Sequence, residues 1–174
     1  PCCVTMYYSI GLVALYLTME TNEFMLRAIE LSKIGMQGGK GGPFGCVIVK
    51  DGKIVGEGYN QVTSTNDPTA HAEVVAIRNA CKNLNTFQLD TCEIYTSCEP
   101  CPMCLGAIYW ARPTKIYYAN TREDAKNIGF DDSFIYEEIP LEIKDRKIPM
   151  IPFGRNEAIV AFEEWQNKMD KTEY

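Results

Sequence analysis

The chain has a single histidine, His71, set in His71-Ala72-Glu73, and about thirty residues later comes Cys98-Glu99-Pro100-Cys101-Pro102-Met103-Cys104. A fold that uses these groups together must bring both segments to one point. His71, Cys101 and Cys104 would supply one imidazole and two thiolates, three zinc ligands with a fourth position left for water. That is the pattern of catalytic rather than structural zinc. Glu73, two residues from the histidine, is available to move that water's protons. Blander readings stand beside this one. His71 could be an ordinary polar residue and Glu73 a solvated helix charge. Cys98 could join as a fourth ligand in a closed, structural Cys₃His site. Pro100 and Pro102 separate Cys98 from the segment carrying the other two thiols, which makes joint ligation awkward.

At 174 residues the chain fits one domain able to bury a core. Its net charge of −6 argues against a nucleic-acid backbone as partner and favours a small or neutral substrate. Eight cysteines could suggest a secreted disulfide scaffold. Three of them fall within seven residues beside prolines, as metal ligands do, so a reducing cytoplasm is the expected location. Cys46, Cys81 and Cys92 lie in apolar stretches and read as small buried hydrophobes.

Residues 1–18 read as an N-terminal extension, vector-derived or translated from upstream, ahead of a single domain at 19–174. A native arm that packs as a strand or in a dimer contact is the alternative. The apolar run Ile10 to Leu17 is too short to span a bilayer, and no Lys or Arg precedes it as in a secretory signal.

From Thr21 to Gln37 the pattern predicts a helix, with Asn22 as N-cap and Met25, Ala28, Ile29, Ser32 and Met36 near one face. Cys46 to Lys50 and Ile54 to Tyr59 read as strands joined by an Asp51-Gly52 hairpin turn. Asp67 and Pro68 suit N-cap and N1 of a helix running through Cys81. Further strands are expected at Thr91 to Thr96 and Lys115 to Ala119. Between them a helix starts at the prolines and runs to Ala111, placing Cys101 and Cys104 on one face. Short helices near Glu123 to Asn127 and Asp132 to Glu137 precede a last one over Asn156 to Lys171. The alternation implies an α/β fold: a three-layer α/β/α sandwich with a central mixed sheet.

His-x-Glu followed by Pro-Cys-x-x-Cys is an established signature of zinc nucleobase deaminases. The chain resembles the cytidine-deaminase-like zinc superfamily and, within it, the bacterial guanine deaminase family. The resemblance covers 19–174. Gly41-Gly42-Pro43-Phe44-Gly45, Asn66 to Glu73, Thr96 to Cys104 and Ala107 to Arg112 support it. The first three are shared with tRNA adenosine deaminases, whereas Gly129 to Phe134 and the ending Lys171-Thr172-Glu173-Tyr174 resemble guanine deaminases.

This resemblance implies zinc on His71, Cys101 and Cys104, with Glu73 as proton shuttle in the hydrolysis of guanine to xanthine and ammonia. Guanosine or tRNA adenosine deamination is the rival within the superfamily, and a structural zinc module the rival outside it. It further implies Asn60 and the Ala72 backbone as purine-binding groups, Phe44 and Trp110 as apolar or stacking walls, and Asp132 and Tyr174 as readers of the substrate edge. A homodimer is implied too, in which the C-terminal segment of one subunit closes the other's site. Guanine's N1–H and exocyclic amine are donors, so an acceptor such as Asp132 is chemically apt. From the residues alone Asp132 reads rather as a helix N-cap, Trp110 as core and Tyr174 as a loose terminus.

Overall fold

Asp51 and Gly52 both adopt left-handed backbone, φ 50° and 69°, as a two-residue hairpin turn between twisted strands requires. The turn folds β1 (Gly45–Lys50) onto β2 (Lys53–Tyr59) as an antiparallel pair with one irregularity beside Ile48 and Val49. The structure, a computed structural model, describes residues 23–173. The expectations for residues 1–18, for Asn22 and for Tyr174 therefore lie outside the described residues.

On its other side β1 pairs antiparallel with β3 (Cys92–Cys98), and β3 pairs parallel with β4 (Lys115–Asn120). The mixed sheet thus runs β2-β1-β3-β4. A parallel pair needs a crossover, and α4 (Pro102–Ala111) supplies it. Alternation along the strands sorts two cores. Val47, Val49 and Tyr95 pack with Leu31, Phe24 and Met25 of α1, the helix at 23–37. Cys46, Ile48 and Ile94 pack with Ala72, Ala76 and Ala80 of α3 (Ala72–Leu84) and with Ile108 and Ala111 of α4. The sandwich therefore has the three layers expected. Cys46 and Cys92 are buried in it and Cys81 is half-buried, all three as free thiols.

The α1 stripe agrees with the predicted one at Met25, Ala28 and Ser32 and departs from it at Met36. Ala28, Leu31, Ser32 and Gly35 face inward, whereas Met36 is exposed. The cause is the close approach of β2: a Cβ at Gly35 would lie 2.8 Å from Tyr59 Cδ2, so only glycine fits there. Arg27 fixes the same helix to the strand with a paired bond to Glu57, 2.7 and 2.9 Å.

Helix α3 lies close on β2 for a related reason. A Cβ at Gly56 would sit 2.6 Å from Ala76 O, and one at Gly58 would strike Ala72 O. Glycines on the strand and alanines on the helix let the two backbones nearly touch. Among the described residues β2 is an edge of the sheet, and α3 also covers that edge. Asn79 and Asn83, one turn apart, donate to Glu57 O and Val55 O, each at 2.9 Å. They occupy carbonyls that an unprotected edge would offer to another strand.

The structure corrects the predicted start of this helix. It begins at Ala72 rather than Pro68 and continues past Cys81 to Leu84. Asp67 is not its cap. The Asp67 carboxylate accepts from Thr69 N–H at 2.8 Å and from Thr69 Oγ1 at 2.7 Å, closing a local turn. The extra residues hold a loop after the unanticipated short helix α2 (Val62–Thr65).

After β4 comes α5 (Arg122–Asn127), which completes the first compact unit together with residues up to Asp132. Residues 133–173 belong to a second unit made of α6 (Ser133–Glu138), a 3₁₀ turn (Ile143–Asp145) and α7 (Arg155–Asn167). Arg146 braces this unit by donating to Leu141 O and Ile139 O, and Glu138 accepts from Lys147 N–H at 2.7 Å. Helix α7 ends four residues before the predicted Lys171. Its last carbonyls are taken instead by Lys168 N–H on Trp165 O and by Lys171 Nζ on Gln166 O. Among the described residues no helix is long and apolar enough to cross a membrane.

Candidate active site

His71 is the N-cap of α3 and Cys101 the N-cap of α4, both in extended conformation, with φ/ψ of −69°/156° and −65°/167°. Placement at the cap resolves the geometric difficulty of His-x-Glu. Two residues within a regular helix diverge by about 200°, but an extended cap residue turns its side chain back toward the first turn. Glu73 is then the second residue of α3 and Cys104 the third of α4. Pro102 at N1 has no N–H to lose and is preset for the helix. The two helix starts converge, and each presents the positive end of its dipole to the same point.

His71 Nδ1 lies 3.5 Å from both Cys101 Sγ and Cys104 Sγ. Zinc bonds of about 2.0 Å to nitrogen and 2.3 Å to sulfur at a tetrahedral angle would separate the donor atoms by about 3.6 Å. The ligand atoms of these three residues lie within 4.8 Å of one another, so the donor set fits zinc in chemistry and in spacing. Cys98 is not part of the cluster. Its thiol is turned toward Thr121 O at 3.5 Å, and burial pushes its pKa up to about 11.

The electrostatics suit a cation. A hydrogen bond from Cys104, then one from His71, holds the Cys101 thiol down to about 4, while Cys104 keeps its proton beside that thiolate. The His71 imidazole is raised by its bond to Cys101. Glu73 is buried, which raises its pKa, and its two oxygens are engaged separately. Oε1 accepts from Thr96 Oγ1 at 3.1 Å and Oε2 from the Cys104 thiol at 3.3 Å.

Thr96 is a site residue that the sequence pattern does not single out. Ser97 is another: its Oγ accepts from Gly45 N–H at 3.0 Å and ties β3 to the glycine-rich loop. Only strand register could have found them, because Thr96 stands opposite Cys46 in the buried sheet.

The expected substrate groups are placed as follows. Asn60, buried at the end of β2, accepts Gly42 N–H at 3.3 Å and Val62 N–H at 3.2 Å on Oδ1. Its carboxamide orientation is thereby fixed, and Nδ2 makes no hydrogen bond among the described residues. Ala72 is buried at N1 of α3, and its N–H is likewise open among the described residues. Phe44 packs edge-on against Phe130, centroids 4.9 Å apart at 90°. Asp132 immediately precedes α6. Burial raises its pKa, followed by the nearby Cys101 charge, and Asp132 in turn helps raise that of His71. Trp110 occupies the last turn of α4, about 9 Å along the axis from Cys104, and is 65% exposed.

Residues 18–120 match the cytidine and deoxycytidylate deaminase zinc-binding region. The chain belongs to this zinc-binding deaminase family. Its relatives include the guanine deaminase of Bacillus subtilis, 56% identical over 156 residues that span 90% of this chain and 100% of that protein. The X-ray structure of guanine deaminase from Bacillus subtilis superposes with a TM-score of 0.85, covering 88% of this chain and 98% of that one. A guanine deaminase from Nitrosomonas europaea, 32% identical, gives a TM-score of 0.60 over 63% of each chain. The tRNA-specific adenosine deaminase of Aquifex aeolicus is 46% identical over 77 residues, 44% of this chain and 51% of that protein. The deaminase family is thus matched both by the metal-cluster region and by the extended resemblance to guanine deaminases.

Proposed function

We propose that the protein hydrolyses guanine to xanthine and ammonia as a zinc-dependent deaminase. One observation carries the reading: 56% identity to the Bacillus subtilis guanine deaminase extends over that protein's whole length. The tRNA-specific adenosine deaminases match over less of their length and at lower identity, 46% over 51% of the Aquifex aeolicus protein and 38% over 69% of the Haemophilus influenzae one. The net charge of −6 also disfavours tRNA as substrate.

His71 Nδ1 and the Sγ atoms of Cys101 and Cys104 would hold the metal. Zinc so bound supplies Lewis acidity that lowers the pKa of water and stabilises developing negative charge on oxygen. Glu73 takes one proton of the attacking water as oxygen bonds to C2 and delivers it to ring N3, then takes the remaining proton from the new C2 hydroxyl and passes it to the exocyclic nitrogen. The C2–N bond breaks and ammonia leaves. Thr96 Oγ1 steadies Oε1, so the other oxygen faces the cluster where the protons move. Burial favours the protonated carboxyl that the second half of the reaction needs.

Asn60 offers Nδ2 to an acceptor on the purine, and Ala72 offers its backbone N–H. Phe44 and Trp110 form apolar walls, Asp132 accepts from the guanine donors, and Tyr174 reads the edge as well. The site is shared in a homodimer, closed by the partner's C-terminal segment. In support, no residue among 133–173 is buried, and Phe153, Met169, Ile151 and Phe162 are 99%, 99%, 83% and 75% exposed. The free state of the cysteines among the described residues is consistent with action in the cytoplasm.

The test is ammonia release by zinc-loaded protein given guanine, guanosine, adenine, cytosine and cytidine in parallel. Release from guanine alone supports the reading. Turnover of another base or nucleoside instead overturns the substrate while keeping the zinc and Glu73 chemistry. For the shared site, Glu73→Ala chains are mixed with chains truncated at the C-terminus. Recovered activity supports sharing, and silence from confirmed heterodimers defeats it.

A further inference from the structure

Helix α5 is six residues long, too short to hold itself in water, yet both its ends are closed. Thr121 and Asp124 form a reciprocal capping box at the start. At the finish Gly129, with φ 95°, turns the chain so that Gly129 N–H reaches Lys126 O and Phe130 N–H reaches Ala125 O, both at 3.0 Å. The backbone is thus locked up to Phe130, two residues before Asp132.

The Phe130 ring then finds a notch. A Cβ on Gly42 would lie 2.7 Å from Phe130 Cζ and 3.0 Å from Phe44 Cε2, so both rings use the space that glycine leaves. Gly42 is in turn held through its N–H on Asn60 Oδ1. A continuous path runs from Asn60 through Gly42 and the two rings to the chain that bears Asp132. Lys126 and Asp131 also form an ion pair on this stretch, at 3.6 Å, but it is exposed and of little worth.

We propose that Phe130 is a positioning residue for deamination: its ring, seated in the Gly42 notch against Phe44, holds Asp132 in place to accept the purine's N1–H and joins it mechanically to Asn60. This rests on the guanine reading above. Without the ring, Asp132 must be ordered anew at each binding event, and that entropy is subtracted from substrate affinity. The loss should therefore fall on KM more than on kcat.

The experiment is a double-mutant cycle on the zinc-loaded enzyme, with kcat and KM for guanine measured for Phe130→Ala, Asp132→Ala and the double variant. Phe130→Ala is expected to lower kcat/KM by about tenfold, mostly through KM, with zinc content unchanged. In the Asp132→Ala background the same substitution is expected to cost nothing further. Phe130→Leu, which refills the notch, should recover most of the loss. Phe130→Tyr should not, because the para carbon faces Gly42. Gly42→Ala removes no apolar group and should reproduce the KM effect if Phe130→Ala folds poorly. An equal loss from Phe130→Ala in both Asp132 backgrounds, or no loss in either, overturns the proposal. Failure of the parent enzyme to act on guanine is a failure of the substrate reading, visible before any variant is made. The cycle then runs on the base that is turned over, where the same non-additivity is required.

Discussion

His71, Glu73, Cys101 and Cys104 stand on the caps and first turns of two helices, with Glu73 and Cys104 buried and both Glu73 oxygens hydrogen-bonded. Phe44, Asn60, Asp132 and Trp110 come from a loop, a strand end, a residue ahead of a helix and a last helical turn, and Trp110 is mostly exposed. The first group is set by local backbone geometry within one layer of the fold. The second depends on side chains that long-range packing brings together one by one. A substitution in the first group should abolish chemistry or metal outright, whereas one in the second should grade affinity.

The sharpest test of that contrast is Glu73→Gln. The carboxamide fits the same space and can still accept from Thr96, but it cannot carry a proton. We expect full zinc content and a fall in kcat of about 10²–10⁴-fold, read by ammonia release and metal analysis on the same sample. Retained turnover would show that the buried carboxylate is scenery. Next in size is Gly58→Ala. Its Cβ would strike Ala72 O, the carbonyl beside His71, and must push α3 off β2. Overpacking of this kind costs about 1–3 kcal/mol. The expected result is a lower Tm together with weaker zinc retention. A lower Tm with unchanged zinc affinity would separate the helix's packing from the ligand it carries. Smaller still is Trp110→Ala. Removing an exposed ring should leave zinc and kcat in place and raise KM by about tenfold or less. A collapse of kcat would move Trp110 into the first group.

The two groups also differ in how legible they are in the amino-acid sequence. The clustering of His71, Cys101 and Cys104 beside Glu73 is legible because the spacing is local and the residue types are rare, the histidine being unique in the chain. Asp51-Gly52 makes the hairpin legible for the same reason. Local chemistry with two outlets misleads. Asp67 before Pro68 has the composition of a helix cap, but its carboxylate closes a turn on Thr69, and the helix starts four residues later. That displacement matters, because it makes His71 the cap. On α1 only the last position of the expected stripe fails, because Gly35, not Met36, meets Tyr59, and a glycine contact leaves no mark in a hydrophobic pattern. Thr96 is illegible because its partner is 23 residues away, and only sheet register decides that they meet.

The smallest expected effect is the one that most cleanly bounds the first group. Cys98 lies close in sequence to both metal thiols and is buried, so a closed four-ligand site is the natural rival to an open one. The structure gives its thiol a different task, a contact with Thr121 O at the start of the α5 capping box. Its sulfur also lies outside the cluster of donor atoms that His71, Cys101 and Cys104 form. Cys98→Ala should therefore retain one zinc per chain and near-normal kcat. Stability should drop by about 1 kcal/mol for the lost sulfur contact and the small void. Zinc stoichiometry after dialysis against a mild chelator reads the first outcome, and thermal unfolding the second. Loss of zinc with the fold intact would place a third sulfur in the metal shell, close the position that the substrate water needs, and turn the contrast between the two groups into one between structure and surface.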